Sequence, residues 1–423
     1  MCIRFPARLW PLCLLLTCAE RIPNYAAEKI IRIPIQTEYG VGDAAFRETI
    51  GHQLHDPLVP GNKVNELING VEIFPAMLEA VRHASNTITF ENFIWRSGEL
   101  SDQFIEALSE RARAGVKVHC VVDSFGAFRF KHSDRRRLRA SGVQLEIFNQ
   151  IWPWNCWTWN HRTHRKILVI DGRIGFIGGI CLADEWMGDA TEPRHWRDTE
   201  FRVEGPVVGE MQGVFMDDWL RCTSSMLHGT NYFPTLEVRG DSLAQCFKGG
   251  PRDGAENARL LYLYSIAAAR KTIRLSQSYF VPDNLAVDML VQAAQRGVKI
   301  EIMTPGIIDW NIVRRAARSR WDRLMAEPNV RFFEFQPAKY HCKLMIVDDA
   351  WVTCGSINFD DRSFRINGEA NINVYDPIFA ARQIEIFEQD KEKSLRMSRR
   401  EFRQRPWYMR AVENFWGIFR GIL

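Results

Sequence analysis

The stretch NHRTHRKILVIDG (Asn160–Gly172) contains His, one residue, Lys, four residues, Asp, and KYHCKLMIVDD (Lys339–Asp349) contains the same arrangement again. In extended chain, residues i and i+2 face the same way. His164 and Lys166 therefore share one face, as do His341 and Lys343. The apolar residues that follow read as a strand. Asp171 and Asp348 fall at the turn that ends it, where a carboxylate can fix local geometry. GGIC (Gly178–Cys181) and GSIN (Gly355–Asn358) come next. Small residues there, Gly179 and Ser356 among them, would let backbone amides approach an anion closely.

The similarity extends well beyond these stretches. AVRHASNTITFENFIW (80–95) matches AAARKTIRLSQSYFVP (267–282), each a helix end followed by a strand. FIEALSERARAGVKVHCVVDSFG matches MLVQAAQRGVKIEIMTPG. Each reads as an amphipathic helix closed by a glycine, Gly115 or Gly297, and followed by a β-branched strand. After the motifs come RIGFIGGI and AWVTCGSI, two further strands. The fold class is α/β, with two homologous halves built from β-α-β units in layers around a parallel or mixed sheet. The expected organisation is an irregular N-terminal segment 1–61, a first lobe 62–226, a connection 227–251, a second lobe 252–396 and a C-terminal helix 397–423.

Composition sets weaker bounds. A chain of 423 residues with a net charge of +4 has room for two lobes and no charge excess that would prove a nucleic-acid or membrane partner. Ten cysteines scattered through motif strands read as free thiols, not as a disulfide framework. At the N-terminus, Arg4 and Arg8 lead into the apolar run Leu9–Ala19. That run is too short for a span, which needs about 20 residues. It has the length of a signal-peptide core, and LLTC, ending at Cys18, faintly resembles a lipoprotein cleavage box; a membrane-touching segment is the alternative.

Pseudo-twofold packing of the halves would bring two histidines and two lysines into one site. Two lysines neutralise a phosphodiester. One imidazole can attack phosphorus while the other protonates the leaving oxygen. Lysines and amides then stabilise the transition state, so neither metal nor cofactor is needed. DTEFRVEG and EANINVYD align as well. Each puts an acid, Asp198 or Glu369, at the start of a late strand, where it could hold the second ring nitrogen of its histidine.

These residues resemble the phospholipase D superfamily with its two HxKxxxxD motifs, over about residues 62–410. The resemblance implies a two-lobed α-β-α sandwich with one active site at the lobe interface. It also implies a phosphohistidine on one motif histidine, with the other as general acid and then base, and a catalytic set of His164, Lys166, Asp171, His341, Lys343 and Asp348. GSINFDDRSFRINGE (Gly355–Glu369), FENFIW, HRKILVIDGRIGFIGGI and HWRDTEFRVEGP are similar to bacterial cardiolipin synthases, of the shorter, peripheral class without two N-terminal spanning helices. Asn358 is a supporting residue on this resemblance, and His164 the nucleophile. Cys181 stands where the family often has Asn, and Cys is a poor hydrogen-bond donor. His161 lacks the Lys and Asp spacing and reads as a loop or access-path residue.

The resemblance implies phosphatidylglycerol as donor, a second phospholipid headgroup as acceptor, a membrane surface as partner and no nucleic acid. The location implied is peripheral, on the bacterial inner membrane. The alternative reading is a phospholipase D or nuclease that uses water. From Tyr408 to Leu423 the apolar residues recur at helical spacing, with Arg399, Arg400, Arg403 and Arg405 just before and Arg410 and Arg420 within. Such a helix suits a bilayer surface or packs on the protein's own core. The run WPWNCWTWNH, from Trp152, suggests an apolar rim or a packed loop.

Overall fold

A computed structural model describes residues 33–151, 159–251, 254 and 256–422. The N-terminal apolar run and most of the tryptophan-rich run, residues 152–158, lie outside them. Among the described residues, fifteen strands form one continuous mixed sheet. Each half contributes a parallel trio toward its outer end: Thr87–Asn92, Lys117–Asp123 and Gln144–Phe148 in the first, Thr272–Gln277, Lys299–Pro305 and Val330–Phe335 in the second, the latter edged by the antiparallel strand Ser394–Met397. Antiparallel strands follow inward, and the halves meet where Val59–Ile68 pairs with Ser242–Gly249.

Two expectations change here. The segment before residue 62 is not all irregular: Ala44–Leu54 is helical and buries Phe46, Ile50 and Leu54 in the second half's core, with Phe46 stacked on Tyr264. The connection 227–251 contains the strand Ser242–Gly249, which gives the second half its innermost strand. Gly, Pro and polar residues before Ser242 mask that strand in the sequence.

Helices cover both faces of the sheet. Glu99–Arg113 and His132–Ala140 pack with the first outer trio, and Asn257–Ala268, Asn284–Gln295 and Asn311–Leu324 with the second. Val208–Thr223 and Pro377–Glu392 lie on the opposite face, over one core that joins Val203 and Phe201 of the first half to Cys246, Ile372 and Phe379 of the second. A shared core of this kind makes the lobes one unit. Gly115 (φ 93°) and Gly297 (φ 96°) close matched helices in the left-handed conformation that glycine adopts without steric cost.

The motif strands Ile167–Ile170 and Lys343–Val347 are buried at every position, as strands covered on both faces must be. Each turns back through a three-residue loop, between paired Ile170 and Ile174 or paired Val347 and Trp351, whose first two residues have positive φ: Asp171–Gly172 or Asp348–Asp349. His164 and His341 lie just before these strands, not within them. Their segments are held by single bridges, Thr163 to Gly368 and Tyr340 to Arg197.

The C-terminal helix Trp407–Ile418 packs along Asn311–Leu324. Its docked side carries Glu413, paired with Arg405 at 2.7 Å, Trp416 against the core, and Gly417, where any Cβ would press on Ser319. Trp407, Tyr408, Met409, Phe415 and Ile418 are exposed. One side is docked on the protein and the other presents apolar side chains to solvent. Among the described residues, no helix is long and apolar enough to cross a membrane.

Candidate active site

Both histidines are reached from the opposite half. The backbone N–H of His164 donates to Gly368 O (2.7 Å), and its Nδ1 lies 2.9 Å from Glu369 Oε2. The N–H of His341 donates to Arg197 O (2.7 Å), and its Nδ1 lies 2.7 Å from Asp198 Oδ2. Each motif segment thus docks on the residue just before the other half's acid. The sequence picked both acids, but each serves the partner half's histidine and not its own. With Nδ1–H donated to a carboxylate, each neutral ring keeps its lone pair on Nε2.

The acids are themselves braced. Ser356 Oγ donates to Glu369 Oε2 (2.5 Å). Trp186 Nε1 donates to Asp198 Oδ2 (3.0 Å) and the Thr199 N–H to Oδ1 (3.0 Å). A Cβ on Gly179 would stand 2.5 Å from Asp198 Oδ1. Gly179 therefore makes room for the carboxylate that orients His341, and the expected approach of its amide to an anion is not what its smallness serves. Ser356, its counterpart, uses its hydroxyl to hold Glu369.

The lysines complete the site. Lys166 Nζ and Lys343 Nζ each donate to the carbonyl of their own motif histidine at 2.5 Å. Lys343 Nζ also lies 3.2 Å from His341 Nε2. Lys166 sits 5.3 Å over the Phe93 ring, which is edge-on to His164 at 4.9 Å. Burial lowers His164 to about 4 despite the help of Glu369. Burial, with Lys343, Lys339 and Lys166, takes His341 well below the usual histidine range. Lys343 falls to about 8, chiefly through burial. His164 senses Lys343 and His341 senses Lys166, so the two motifs act on one another across a single site. The carboxylates differ. Burial raises Asp198; it also opposes ionisation of Glu369, but His164, Lys166 and Ser356 outweigh it and hold Glu369 below the usual range.

Asp171 and Asp348 lie elsewhere. Asp171 accepts the N–H groups of Ser85, Asn86 and Thr87 at 2.9, 2.7 and 2.8 Å. Asp348 accepts those of Arg270, Lys271 and Thr272 at 2.7, 2.6 and 2.9 Å. They pin the motif hairpins to the start of the neighbouring strand, roughly 20 Å of extended chain from the histidines. This position corrects the catalytic role expected of them: their carboxylates are engaged by backbone amides and fix the hairpins. Asn358 is buried, and its Oδ1 has no partner among the described residues. Cys181 is buried in apolar core, and burial raises its thiol, so it stays neutral. His161 is edge-on to Phe148, and burial lowers it to about 3. It is a packed residue.

Sequence reading missed a third lysine. Lys339 is buried, pairs with Asp309, and lies 4.2 Å over the Trp196 ring, itself 5.5 Å from the His341 ring. Tyr279 donates to Asp309 at 2.8 Å. Lys339 precedes His341 by two residues; the first motif has Arg162 there, turned to Asp123 instead. That replacement hid it. Among the described residues, no group of three or more His, Cys, Asp or Glu is arranged to hold a metal ion.

Fold and site together define a phospholipase D-like protein. Residues 77–192 and 262–391 match the family described as cardiolipin synthase, PLD-like domain. A cardiolipin synthase of Alkalihalophilus pseudofirmus is 32% identical over 369 residues, 86% of this chain and 73% of that protein. A probable cardiolipin synthase of Bacillus subtilis is 32% identical over 365 residues, 86% of this chain and 72% of that one. A phosphatidylserine synthase of Haemophilus influenzae has a similar fold, with TM-score 0.66 and 13% identity over 89% of this chain and all of that one. The chain belongs to the cardiolipin synthase family of phospholipase D-like proteins.

Proposed function

We propose that this protein is a phosphatidyltransferase that makes cardiolipin from phosphatidylglycerol and a second phospholipid through a phosphohistidine. His341 takes up a proton on Nε2 as the phosphodiester anion binds; His164 Nε2 then attacks phosphorus, the bond to glycerol breaks, and His341 gives that proton to the departing oxygen. The acceptor hydroxyl then returns a proton to His341 as its oxygen attacks phosphorus and the phosphorus–nitrogen bond breaks. Lys166 and Lys343 offset the charge that builds on the phosphoryl oxygens. One phosphodiester replaces another, so no nucleotide enters.

The observation that carries this reading is the exchange of orienting acids between halves, which builds two His–carboxylate pairs and two lysines into one site. The difference between the pairs supports His164 as nucleophile. Glu369, held ionised, suits the imidazolium that phosphorylation creates. His341, pressed by Lys343 and Lys339, gives up a proton readily, and a bound phosphodiester anion restores its capacity to take one.

Lipid access has its own support. Phe125 and Phe128 follow the strand Lys117–Asp123, and Trp310 follows Lys299–Pro305, matched positions in the two halves. All three are exposed, at 46, 68 and 53%. Apolar loop tips at a phosphodiester site suit a bilayer surface, as does the outer face of Trp407–Ile418 beside exposed Arg400, Arg403 and Arg410. Peripheral binding at the membrane is the corresponding location. Incubation of the purified protein with phosphatidylglycerol vesicles should yield cardiolipin and glycerol, and His164→Ala or His341→Ala should abolish both. Phosphatidic acid as the only product, or cut DNA in a parallel assay, would overturn this reading in favour of water as acceptor.

A further inference from the structure

A recess of about 390 Å³ has Arg96, Ser97, Arg129, Arg194 and His195 on its walls. Its acids are already engaged. Asp184 accepts the N–H groups of Glu99 and Leu100 at the start of the helix Glu99–Arg113, at 3.2 and 3.0 Å. Glu185 pairs with Arg96. Arg194 and His195 share Glu192 at 2.5 and 3.5 Å. Arg129 makes no ion pair among the described residues; its guanidinium lies 5.3 Å over Phe128. Arg96 Nε is buried without a partner. The recess is a cationic surface with donors to spare.

Both walls run on into the catalytic centre. Three residues before Arg96, Phe93 lies against His164 and Lys166. Directly after His195, Trp196 lies against His341 and Lys339, and two residues further on Asp198 holds His341. The Trp196 N–H donates to Glu185 O (2.7 Å), which ties the two walls together. Arg96 is near enough to oppose the charge on Lys339. The recess therefore opens on the His341 side, where the leaving alcohol departs and the incoming hydroxyl must arrive.

We propose that this recess is the acceptor subsite, which binds the phosphodiester anion of the second phospholipid while its headgroup hydroxyl is presented to His341. The proposal rests on the phosphatidyltransferase reading. In phosphatidylglycerol a three-carbon glycerol separates the free hydroxyl from its phosphate, so an acceptor's anion must sit beside, and not in, the reacting site. Water has no such anion and gains nothing from the arginines, which turns the recess into a device that favours lipid over water.

The test compares two acceptors in vesicles of phosphatidylglycerol. One reaction is cardiolipin formation; the other is exchange of labelled glycerol into phosphatidylglycerol, whose acceptor carries no phosphate. Arg129→Ala combined with Arg194→Ala should lower cardiolipin formation by about tenfold or more, as loss of charge-assisted contacts does, and leave glycerol exchange within about twofold. Soluble glycerol 3-phosphate, used as acceptor, should lose as much as the lipid. Equal loss in all reactions would assign the arginines to vesicle binding or folding and overturn the proposal, as would no loss in any. If the unsubstituted protein exchanges glycerol but forms no cardiolipin, the transferase reading fails first, and the failure is distinguishable because it precedes any substitution.

Discussion

The two halves share a backbone plan and surround their histidines differently. In the first, His164 faces Glu369, braced by Ser356, with Lys166 and Phe93 beside it. In the second, His341 faces Asp198, braced by Trp186, with Lys343 and Lys339 close by and Trp196 across the ring. Asn358 of one half corresponds to Cys181 of the other. Duplication accounts for the shared plan, but the chemistry asks two different things of two imidazoles. In the proposed mechanism one bears a covalent phosphoryl group as a cation and the other shuttles a proton. An ionised glutamate suits the first task and a crowd of ammonium groups the second.

After the histidines themselves, the largest effects should come from the acids. Glu369→Gln and Asp198→Asn should each slow cardiolipin formation by about 10²- to 10⁴-fold, because an amide no longer enforces the Nε2 lone pair or stabilises an imidazolium. Single-turnover kinetics should separate them, with Glu369→Gln slowing phosphohistidine formation and Asp198→Asn slowing proton delivery to the leaving glycerol. Identical profiles would erase the distinction between halves.

Lys343 gives a pH test. Its pKa of about 8 means that the ammonium loses its proton as pH rises through that value. A plot of kcat/KM should therefore fall above pH ~8, and Lys343→Arg, whose guanidinium stays charged, should move that falling limb up by at least about one pH unit. An unmoved limb would assign it to another group.

Asp171 and Asp348 should behave alike in the two halves, since both only pin hairpins. Asp171→Asn or Asp348→Asn should cost about 1–3 kcal/mol of stability through the loss of charge-assisted hydrogen bonds from three backbone amides, visible as a lower Tm. The folded fraction should keep its turnover within about tenfold.

How much of this was legible beforehand differs by level. The repeat, the layers, both His–Lys pairs and both acids follow from periodicity and from matching one half to the other. The crossing of the acids does not, because sequence alignment pairs each acid with its own half, while the bridges from Gly368 to Thr163 and from Arg197 to Tyr340 are tertiary. Lys339 was hidden because Arg162 fills its place in the first motif and makes a different ion pair. The central strand Ser242–Gly249 was obscured by the turn-rich chain before it. The C-terminal helix was ambiguous because its apolar residues serve both docking and exposure.

That helix yields the smallest expected effect. Replacing Trp407, Phe415 and Ile418 by Ser should weaken vesicle binding by about tenfold or more, from lost apolar burial, with Tm and activity on a short-chain soluble phosphodiester little changed. Trp416→Ala, on the docked side, should lower Tm instead. If both changes lower Tm together, the exposed face has no separate role.

The central claim is that the halves divide the labour, with His164 carrying the phosphoryl group. Acid-sensitive phosphohistidine should be trapped from phosphatidylglycerol with a good leaving group, in His341→Ala, and mapped by mass spectrometry to His164, while His164→Ala stays unlabelled. Label on His341 in the His164→Ala protein, with none in His341→Ala, would contradict the account.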